Sequence, residues 1–410
     1  MSSVITREFL EQIPKTDLHL HLDGSLRPST LIELAKAAKV PLPSETEDGL
    51  NELVFKEKYK DLPDYLRGFG LTCAVLQTAE NLERVAYELA QDNIAENVRY
   101  IEVRYAPQLH VHPGLPMDAV VESVNRGLAR AQKEHNRSPA VLQKGDIPFH
   151  YGIITCAMRF FNRHMSAYYA QLFDVMPYTP SKELMAVASL EMARAAASLA
   201  HEKGIPVVGF DIAGAEAGFP AIDHRDAYQY AHVHFIKKTV HAGEAYGPES
   251  IFQAITECHA DRIGHGTFLF AADRVTDPAI KDPAYYVKCL VDYIASRRIA
   301  LEVCPTSNLQ TIPSIETMAD HPLKRMLEAN LSVSICTDNR LVSRTSVTRE
   351  LELVCNSLPV TPEKLRNIIL AGFKGSFFPG PYNEKRALVR QISQRYDALE
   401  AQYLTPAQKA

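Results

Sequence analysis

Two histidines one residue apart, His19 and His21, end an apolar run near the N-terminus. Side chains alternate between the faces of a β-strand, so both imidazoles would point the same way, about 6 to 7 Å apart along the strand. Histidine is the commonest metal ligand in proteins, and a catalytic zinc needs about three protein ligands and one position left for water. The pair therefore predicts half of a metal site, whose other ligands must come from elsewhere in the chain.

Further histidines and acidic residues follow short β-rich runs later in the sequence. His241, His265 and Asp338 each end such a run, and Glu244 follows His241 by three residues. Imidazole nitrogens combined with one carboxylate suit a single zinc ion. A second carboxyl group close by could serve as a general acid or base.

The elements that must position these groups alternate between strands and helices, and no linker divides them. We predict strands at residues 16–21, 98–105, 150–156, 206–211, 237–241, 262–265, 299–303 and 332–337. Eight strands that alternate with helices predict an α/β fold, a (β/α)8 TIM barrel with inserted helices, rather than a doubly wound sheet. The first strand is not followed by a glycine-rich phosphate loop, which counts against a dinucleotide-binding fold.

A barrel places catalytic residues at the carboxyl ends of its strands, on one face. The predicted ends of strands one, five, six and eight carry the candidate groups. Because strand eight closes against strand one, Asp338 could reach a metal held by His19 and His21.

Composition narrows the class of protein. The chain has 410 residues, of which 46% are hydrophobic and 23% charged, and these fractions are typical of a soluble globular protein. A net charge of −5 gives no basic footprint for nucleic acid. Apolar stretches are too short to cross a membrane and the start lacks a secretory pattern, so we expect a cytoplasmic protein. The absence of a basic footprint favours a small-molecule substrate as the partner. The seven cysteines show no spacing that is typical of a disulfide framework.

Seven stretches resemble, in their order, those of the adenosine deaminase family within the metal-dependent amidohydrolase superfamily. They are HLHLDGS (19–25), EVRY (102–105), DIAG (211–214), HAGE (241–244), RIGHG (262–266), CPTSN (304–308) and TD (337–338). The resemblance implies one deaminase domain over residues 1–410, with a barrel core of about 10–375, a lid insertion of about 45–80 and a C-terminal helical tail of about 380–410. It also implies zinc-dependent hydrolysis of adenosine, and of 2′-deoxyadenosine, to the inosine product and ammonia in purine salvage.

The resemblance assigns roles to the candidate groups. It implies that one zinc ion per chain is bound by His19, His21, His241 and Asp338. Zinc can lower the pKa of bound water from 15.7 to near 7, which provides a hydroxide nucleophile. His265 and Asp338 would orient and deprotonate that water, while Glu244 would supply a proton to purine N1 and then to the leaving ammonia.

The same resemblance implies contacts to a purine nucleoside. Asp23 would contact the ribose 5′-hydroxyl, which favours a nucleoside over a free base or a 5′-phosphate, and the backbone N–H of Gly214 would meet purine N3. His21 would lie beside the substrate as well as the metal. A lid helix would place Tyr65, Leu66 and Phe69 over the ligand and exclude water.

One position departs from the family pattern. Most adenosine deaminases have a second aspartate after the zinc-binding one, whereas this chain has Asn339. Its NH2 group can donate a hydrogen bond to purine N7 without first being protonated. Purine binding thus remains the expectation, but which 6-aminopurine is the substrate stays open. Segments 159–181 and 268–296, which follow strands three and six, are longer than usual and could reshape the mouth of the pocket.

Other interpretations of these residues remain open at this point. His110 and His112 form a rival pair in a loop after strand two, Asp23 and Gly214 could be a helix cap and a turn glycine, and the lid residues could be core. Alternative functions are a deaminase of a modified adenine nucleoside or of adenine, and a non-catalytic nucleoside-binding protein, which would be expected to lose Glu244 or His265. A two-metal amidohydrolase would need a carboxylated lysine at the end of strand four, where the chain has Asp211.

Overall fold

Eight parallel strands form one sheet in which each strand pairs with the next along the chain. The computed structural model describes residues 5–404. The strands are Lys15–His21 (β1), Val98–Tyr105 (β2), His150–Met158 (β3), Val207–Ala213 (β4), Lys237–Ala242 (β5), Arg262–His265 (β6), Ala300–Val303 (β7) and Val333–Ile335 (β8). Nearly all strand residues are buried, as expected when helices cover the outer face of a parallel sheet.

The segment after β8 closes the sheet against β1. The N–H of His21 donates to the carbonyl of Asp338 at 2.8 Å, and the N–H of Asp338 donates to the carbonyl of His19 at 2.8 Å. These bonds leave a nearly closed (β/α)8 barrel, which confirms the predicted fold class. Strand β8 ends two residues before the predicted end at Thr337, because the side chain of Asp17 accepts hydrogen bonds from both the N–H and the hydroxyl of Thr337.

Helices connect the strands and form the outer layer. They are Arg7–Gln12 (α1), Pro28–Ala38 (α2), Glu47–Leu53 (α3), Leu62–Leu66 (α4), Phe69–Val75 (α5), Ala79–Ala95 (α6), Met117–Asn136 (α7), Pro139–Leu142 (α8), Ala167–Val175 (α9), Ser181–His201 (α10), Arg225–Val233 (α11), Pro248–Thr256 (α12), Pro283–Arg297 (α13), Pro305–Thr311 (α14), Leu323–Glu328 (α15), Val347–Ser357 (α16), Pro362–Gly375 (α17) and Tyr382–Tyr403 (α18). Within residues 5–404, none of them combines the length and the apolar character that a membrane crossing requires.

The long connection between β1 and β2 carries the predicted lid. Asp61 caps α4 by accepting the N–H of Asp64 at 2.9 Å, and α4 and α5 are separate short helices rather than one lid helix. Gly68 lies at the break, where an added Cβ would lie 3.1 Å from the ring of Phe55. The connection between the two helices therefore packs closely on an apolar side chain of the preceding segment. The predicted C-terminal tail contains α18, and its last six residues lie outside the described part of the chain.

Buried charges rather than aliphatic side chains fill part of the barrel interior. The guanidinium of Arg104 donates to Asp211 at 2.8 Å and to Glu302 at 2.7 Å. The guanidinium of Arg262 donates to Glu302 at 2.6 Å and also binds Glu102. Each of these five side chains is fully or almost fully buried. Because a buried charge is tolerated only when it is paired, this network ties strands β2, β4, β6 and β7 together.

Replacing Arg262 tests how much this network of buried charges contributes to the stability of the barrel. Arg262→Met is expected to lower the free energy of unfolding by about 3 to 5 kcal/mol, because the buried Glu102 would lose its cation. Urea denaturation followed by circular dichroism measures this loss. Arg84→Met is the matched control, since Arg84 pairs with Glu33 and Glu88 at the surface and such pairs contribute little. Equal losses for the two variants would contradict the assigned role of the interior network.

Candidate active site

Four imidazoles and one carboxylate converge at the carboxyl ends of the strands. The ring centre of His19 lies 5.3 Å from that of His21, 4.5 Å from that of His241 and 4.8 Å from that of His265. An oxygen of Asp338 lies 3.5 Å from Nε2 of both His19 and His21. The ligand atoms of His19, His21 and His241 lie within 4.8 Å of one another, so these residues could hold one metal ion.

Neighbouring carboxylates fix the orientation of two of these rings. Nδ1 of His19 lies 2.9 Å from Glu302, and Nδ1 of His241 lies 2.8 Å from Asp211. Each ring therefore presents Nε2 to the centre of the cluster, as metal-binding histidines with a carboxylate partner do. Nε2 of His19 is buried and has no hydrogen-bond partner among the described residues. Burial lowers the pKa of His19 to about 4, so the ring is neutral at pH 7, the form that binds a metal.

Asp338 is held in a strained backbone conformation at the centre of the site. Its φ of 61° lies in the left-handed region, which a residue other than glycine adopts at a cost and which is common at functional sites. The hydroxyl of Ser307 donates to Oδ2 at 2.7 Å, which leaves Oδ1 facing the histidines. Burial alone would raise the pKa of Asp338, but His19 and the other histidines nearby hold it below its usual value, so this group is a carboxylate.

Glu244 and His265 face each other beside this cluster. An oxygen of Glu244 lies 3.7 Å from Nε2 of His265. Burial raises the pKa of the Glu244 carboxyl above its usual value, against the opposing effects of His265 and His241. Glu244 is thus better suited to carry a proton than an exposed glutamate is. The amide of Asn308 lies 3.2 Å from Nδ1 of His265 and fixes the plane of that ring.

One cavity of about 580 Å³ connects the cluster to the lid. The polar end is formed by strand ends, and the apolar wall by the lid and by the loops that follow β3 and β4. Among the lining residues are His21, Asp23, Tyr65, Leu66, Phe69, Met158, Phe160, Met165, Gly214, Phe219, His241, Glu244, His265, Asp338 and Asn339. The cavity is thus apolar around a few convergent polar groups, as small-molecule sites are.

Predicted residues of the binding surface also reach this cavity. Asp23 is buried at its wall, one of its oxygens has no hydrogen-bond partner within the described chain, and burial raises its pKa to about 7. Gly214 has a φ of +97°, a conformation that glycine adopts without strain. Leu66 and Phe69 line the cavity on the side where the lid lies. Every predicted metal, proton-transfer and substrate residue except His19 lines this one cavity, and His19 lies directly behind it.

The position that departs from the family pattern is bonded to the lid. Nδ2 of Asn339 donates to the hydroxyl of Tyr65 at 2.8 Å, and that hydroxyl lies 2.8 Å from the hydroxyl of Ser343. Oδ1 of Asn339 faces Gly24, where an added Cβ would lie 1.9 Å away. Asn339 therefore has a fixed orientation, in which its NH2 group is bonded to the lid and its side chain lines the cavity.

The rival histidine pair lies outside the cavity wall. His110 is buried beside Asp23 and Cys73, and Nε2 of His112 lies 3.0 Å from the carbonyl of Gln77. Neither histidine lines the cavity.

Several supporting residues could not be assigned from sequence. Glu302, Ser307 and Asn308 contact site residues from β7 and the helix after it, and Glu216 contacts the loop that carries Glu244. The sequence offered one signal for Glu302: it is a charged residue inside the otherwise apolar strand β7. The stretch 304–308 was recognised as a family motif, but the partners of its side chains become visible only in three dimensions.

The fold and the donor groups at its strand ends are those of the barrel amidohydrolases. The sequence profile of the adenosine deaminase family matches residues 14–175 and 180–395. The adenosine deaminase of Mycobacterium sp. strain KMS is 36% identical over 404 residues, which cover 97% of this chain and 99% of the relative. Adenosine deaminase 1 of Streptomyces coelicolor is 34% identical over 398 residues, which cover 96% and 90% of the two chains. The chain belongs to the adenosine deaminase family, and it is a hydrolase of that family.

Solved structures share the fold at lower identity. An amidohydrolase from Burkholderia ambifaria, solved with bound Zn, has a TM-score of 0.75 and 21% identity over 97% of this chain and 95% of its own. The N6-mAMP deaminase of Arabidopsis has a TM-score of 0.71 and 23% identity over 94% and 99%. The adenine deaminase of Arthrobacter aurescens has a TM-score of 0.69 and 22% identity over 93% and 98%. Likeness at this level shows the barrel fold alone.

Proposed function

We propose that this chain is a zinc-dependent deaminase that hydrolyses adenosine, and 2′-deoxyadenosine, to inosine or deoxyinosine and ammonia in purine salvage. One observation carries the proposal. A single cavity is lined both by Glu244, His265 and members of the metal-donor cluster and by Asp23, Gly214 and the lid. A nucleoside has both a reacting 6-amino group and a ribose hydroxyl, and a cavity lined by both sets of residues can contact both parts of it.

One zinc ion per chain fits the donor groups. His19, His21, His241 and Asp338 would hold it, since three imidazole nitrogens and a carboxylate suit zinc and the buried Nε2 of His19 otherwise lacks a partner in the described residues. When bound, zinc supplies water that ionises near neutral pH.

The chain's own groups would carry out the proton transfers. His265 and Asp338 orient the attacking water and accept its proton, while the protonated Glu244 donates to purine N1 so that C6 becomes electrophilic. Water adds at C6, and the Glu244 carboxylate takes the proton of the new C6 hydroxyl and passes it to the amino nitrogen as the bond from C6 to that nitrogen breaks and ammonia leaves. The proton accepted from water then returns to Glu244 from His265, which lies 3.7 Å away. Burial of all three groups excludes competing water.

The first experiment compares substrates on the zinc-loaded protein. Ultraviolet absorbance and ammonia release are followed with adenosine, adenine, adenosine 5′-phosphate and N6-methyladenosine in parallel. Turnover of adenosine well above the others supports the proposal. Preference for N6-methyladenosine or adenine supports the second candidate, a deaminase of a modified adenine nucleoside or of adenine, which Asn339 favours. Inactivity with all four, at one zinc per chain, would reject both.

Asp23 provides a test of the ribose contact. Asp23→Ala is expected to lower kcat/KM for adenosine by about 10-fold, because a hydrogen bond contributes about 0.5 to 1.5 kcal/mol and more where the acceptor is charged. Any turnover of free adenine should change little, since adenine has no 5′-hydroxyl, and so adenine serves as the internal control. Steady-state kinetics on both substrates measure the ratio, and equal losses would show that Asp23 does not contact ribose.

A further inference from the structure

We propose that Glu216 is a positioning residue for the deamination reaction, because it holds the loop that carries Glu244. This inference rests on the proposed function in that it presupposes a proton-donating role for Glu244. Glu216 follows β4, is buried, and lies behind the cavity wall rather than in it. It therefore acts on substrate only through the loop after β5.

The carboxylate of Glu216 accepts five hydrogen bonds from this loop and the helix after it. Oε1 accepts from the N–H of Gly243 at 3.0 Å and from the hydroxyl of Ser250 at 2.7 Å, and Oε2 accepts from the N–H groups of Glu244, Ala245 and Tyr246 at 2.9, 2.6 and 3.1 Å. Four consecutive backbone N–H groups thus surround one side chain. Such a concave set of N–H groups is an anion-binding arrangement, and here a residue of the chain supplies the anion.

The loop depends on this side chain for its shape. Residues 243–247 belong to neither a helix nor a strand, so their N–H groups obtain no partner from regular structure. Gly243 has a φ of +71°, and an added Cβ there would lie 2.6 Å from the side chain of Ile251. The chain therefore turns sharply between His241 and Glu244. A second bond, from the N–H of Gly218 to the hydroxyl of Tyr246 at 2.6 Å, joins the same two loops.

The chemistry of the acceptor decides what a substitution does. A carboxylate only accepts hydrogen bonds, whereas a glutamine of the same shape has an NH2 group in place of one oxygen. That NH2 group would face backbone N–H donors. An aspartate is shorter by one methylene group but keeps both acceptors and the charge. The two variants therefore separate the role of the acceptor from the role of packing.

The test compares Glu216→Gln and Glu216→Asp. Glu216→Gln is expected to lower kcat by about 10- to 100-fold, the usual effect of removing a partner that orients an active-site group, with KM and zinc content nearly unchanged. Glu216→Asp should retain more activity than Glu216→Gln although it is the poorer match in shape. Asp261→Asn is the matched control, because Asp261 accepts the N–H of Lys238 at the opposite end of β5, and it should leave kcat unchanged.

Amide hydrogen exchange across residues 243–246 gives a readout that does not depend on activity. The proposal is supported if exchange is faster in Glu216→Gln and normal elsewhere in the barrel, and if kcat is lower in Glu216→Gln than in Glu216→Asp. Unchanged kcat, or a glutamine variant as active as or more active than the aspartate variant, would overturn it. If the wild-type protein deaminates no 6-aminopurine, the proposed function fails instead, while the exchange data still show whether Glu216 holds the loop.

Discussion

Glu244→Gln is expected to lower kcat for adenosine by about 10²- to 10⁴-fold, the usual contribution of a positioned general acid. Glutamine keeps the shape of the side chain and can still donate a weak hydrogen bond from its NH2 group. It cannot transfer a proton to purine N1 or to ammonia. Zinc content should stay at that of the wild type, because Glu244 lies beside the proposed ligands without being one of them. Steady-state kinetics and elemental analysis of the purified variant measure both quantities.

Glu249→Gln is the matched control for this substitution. Glu249 lies five residues further along the chain, accepts the N–H groups of Thr276 and Asp277, and does not line the cavity. The kcat of the Glu249→Gln variant should remain near that of the wild type. A Glu244→Gln variant with normal turnover would remove Glu244 from the reaction and would leave His265 as the group that protonates the substrate.

Removal of the metal is expected to lower turnover by more than about 1,000-fold, because without it the attacking water returns to a pKa near 15.7. Dialysis against a chelator followed by addition of one equivalent of zinc tests this, with recovery of activity as the expected result. His19→Ala should abolish both tight zinc binding and the recovery. His259→Ala is the control, since His259 is a partly exposed residue that bonds to Gln229 and does not line the cavity.

Two results would contradict the assigned metal site. The first is a fully active protein after complete removal of metal. The second is a His19→Ala variant that still binds one zinc per chain. Circular dichroism of the metal-free protein shows whether the barrel remains folded, which separates loss of chemistry from loss of structure.

The barrel and its strand ends could be predicted because the relevant signals are local. A buried parallel strand is a short apolar run, and eight such runs alternate with helical segments, so the fold class follows from their order. The same local signals placed His19, His21, His241 and His265 at strand ends. Because all strands of a parallel barrel have their carboxyl ends on one face, residues at those ends lie on that face together.

The partners that orient these residues could not be predicted, because they are distant in sequence. Glu302 contacts His19 across 283 residues, and Glu216 contacts Glu244 across 28. Neither separation has a periodicity that a sequence pattern would reveal. The contact of Gly68 with the ring of Phe55, at the break between α4 and α5, is likewise visible only in three dimensions.

The bond between Tyr65 and Asn339 joins the lid to the position that departs from the family pattern. Helix α4 cannot swing outward without breaking the hydrogen bonds of the Tyr65 hydroxyl to Asn339 and Ser343, and each such bond contributes about 0.5 to 1.5 kcal/mol. In the proposed function, product that leaves past the lid must break these bonds, and recognition of the purine depends on the orientation of the same asparagine amide. We therefore expect the residence time of product and the choice of purine to change together whenever this hydroxyl group is altered.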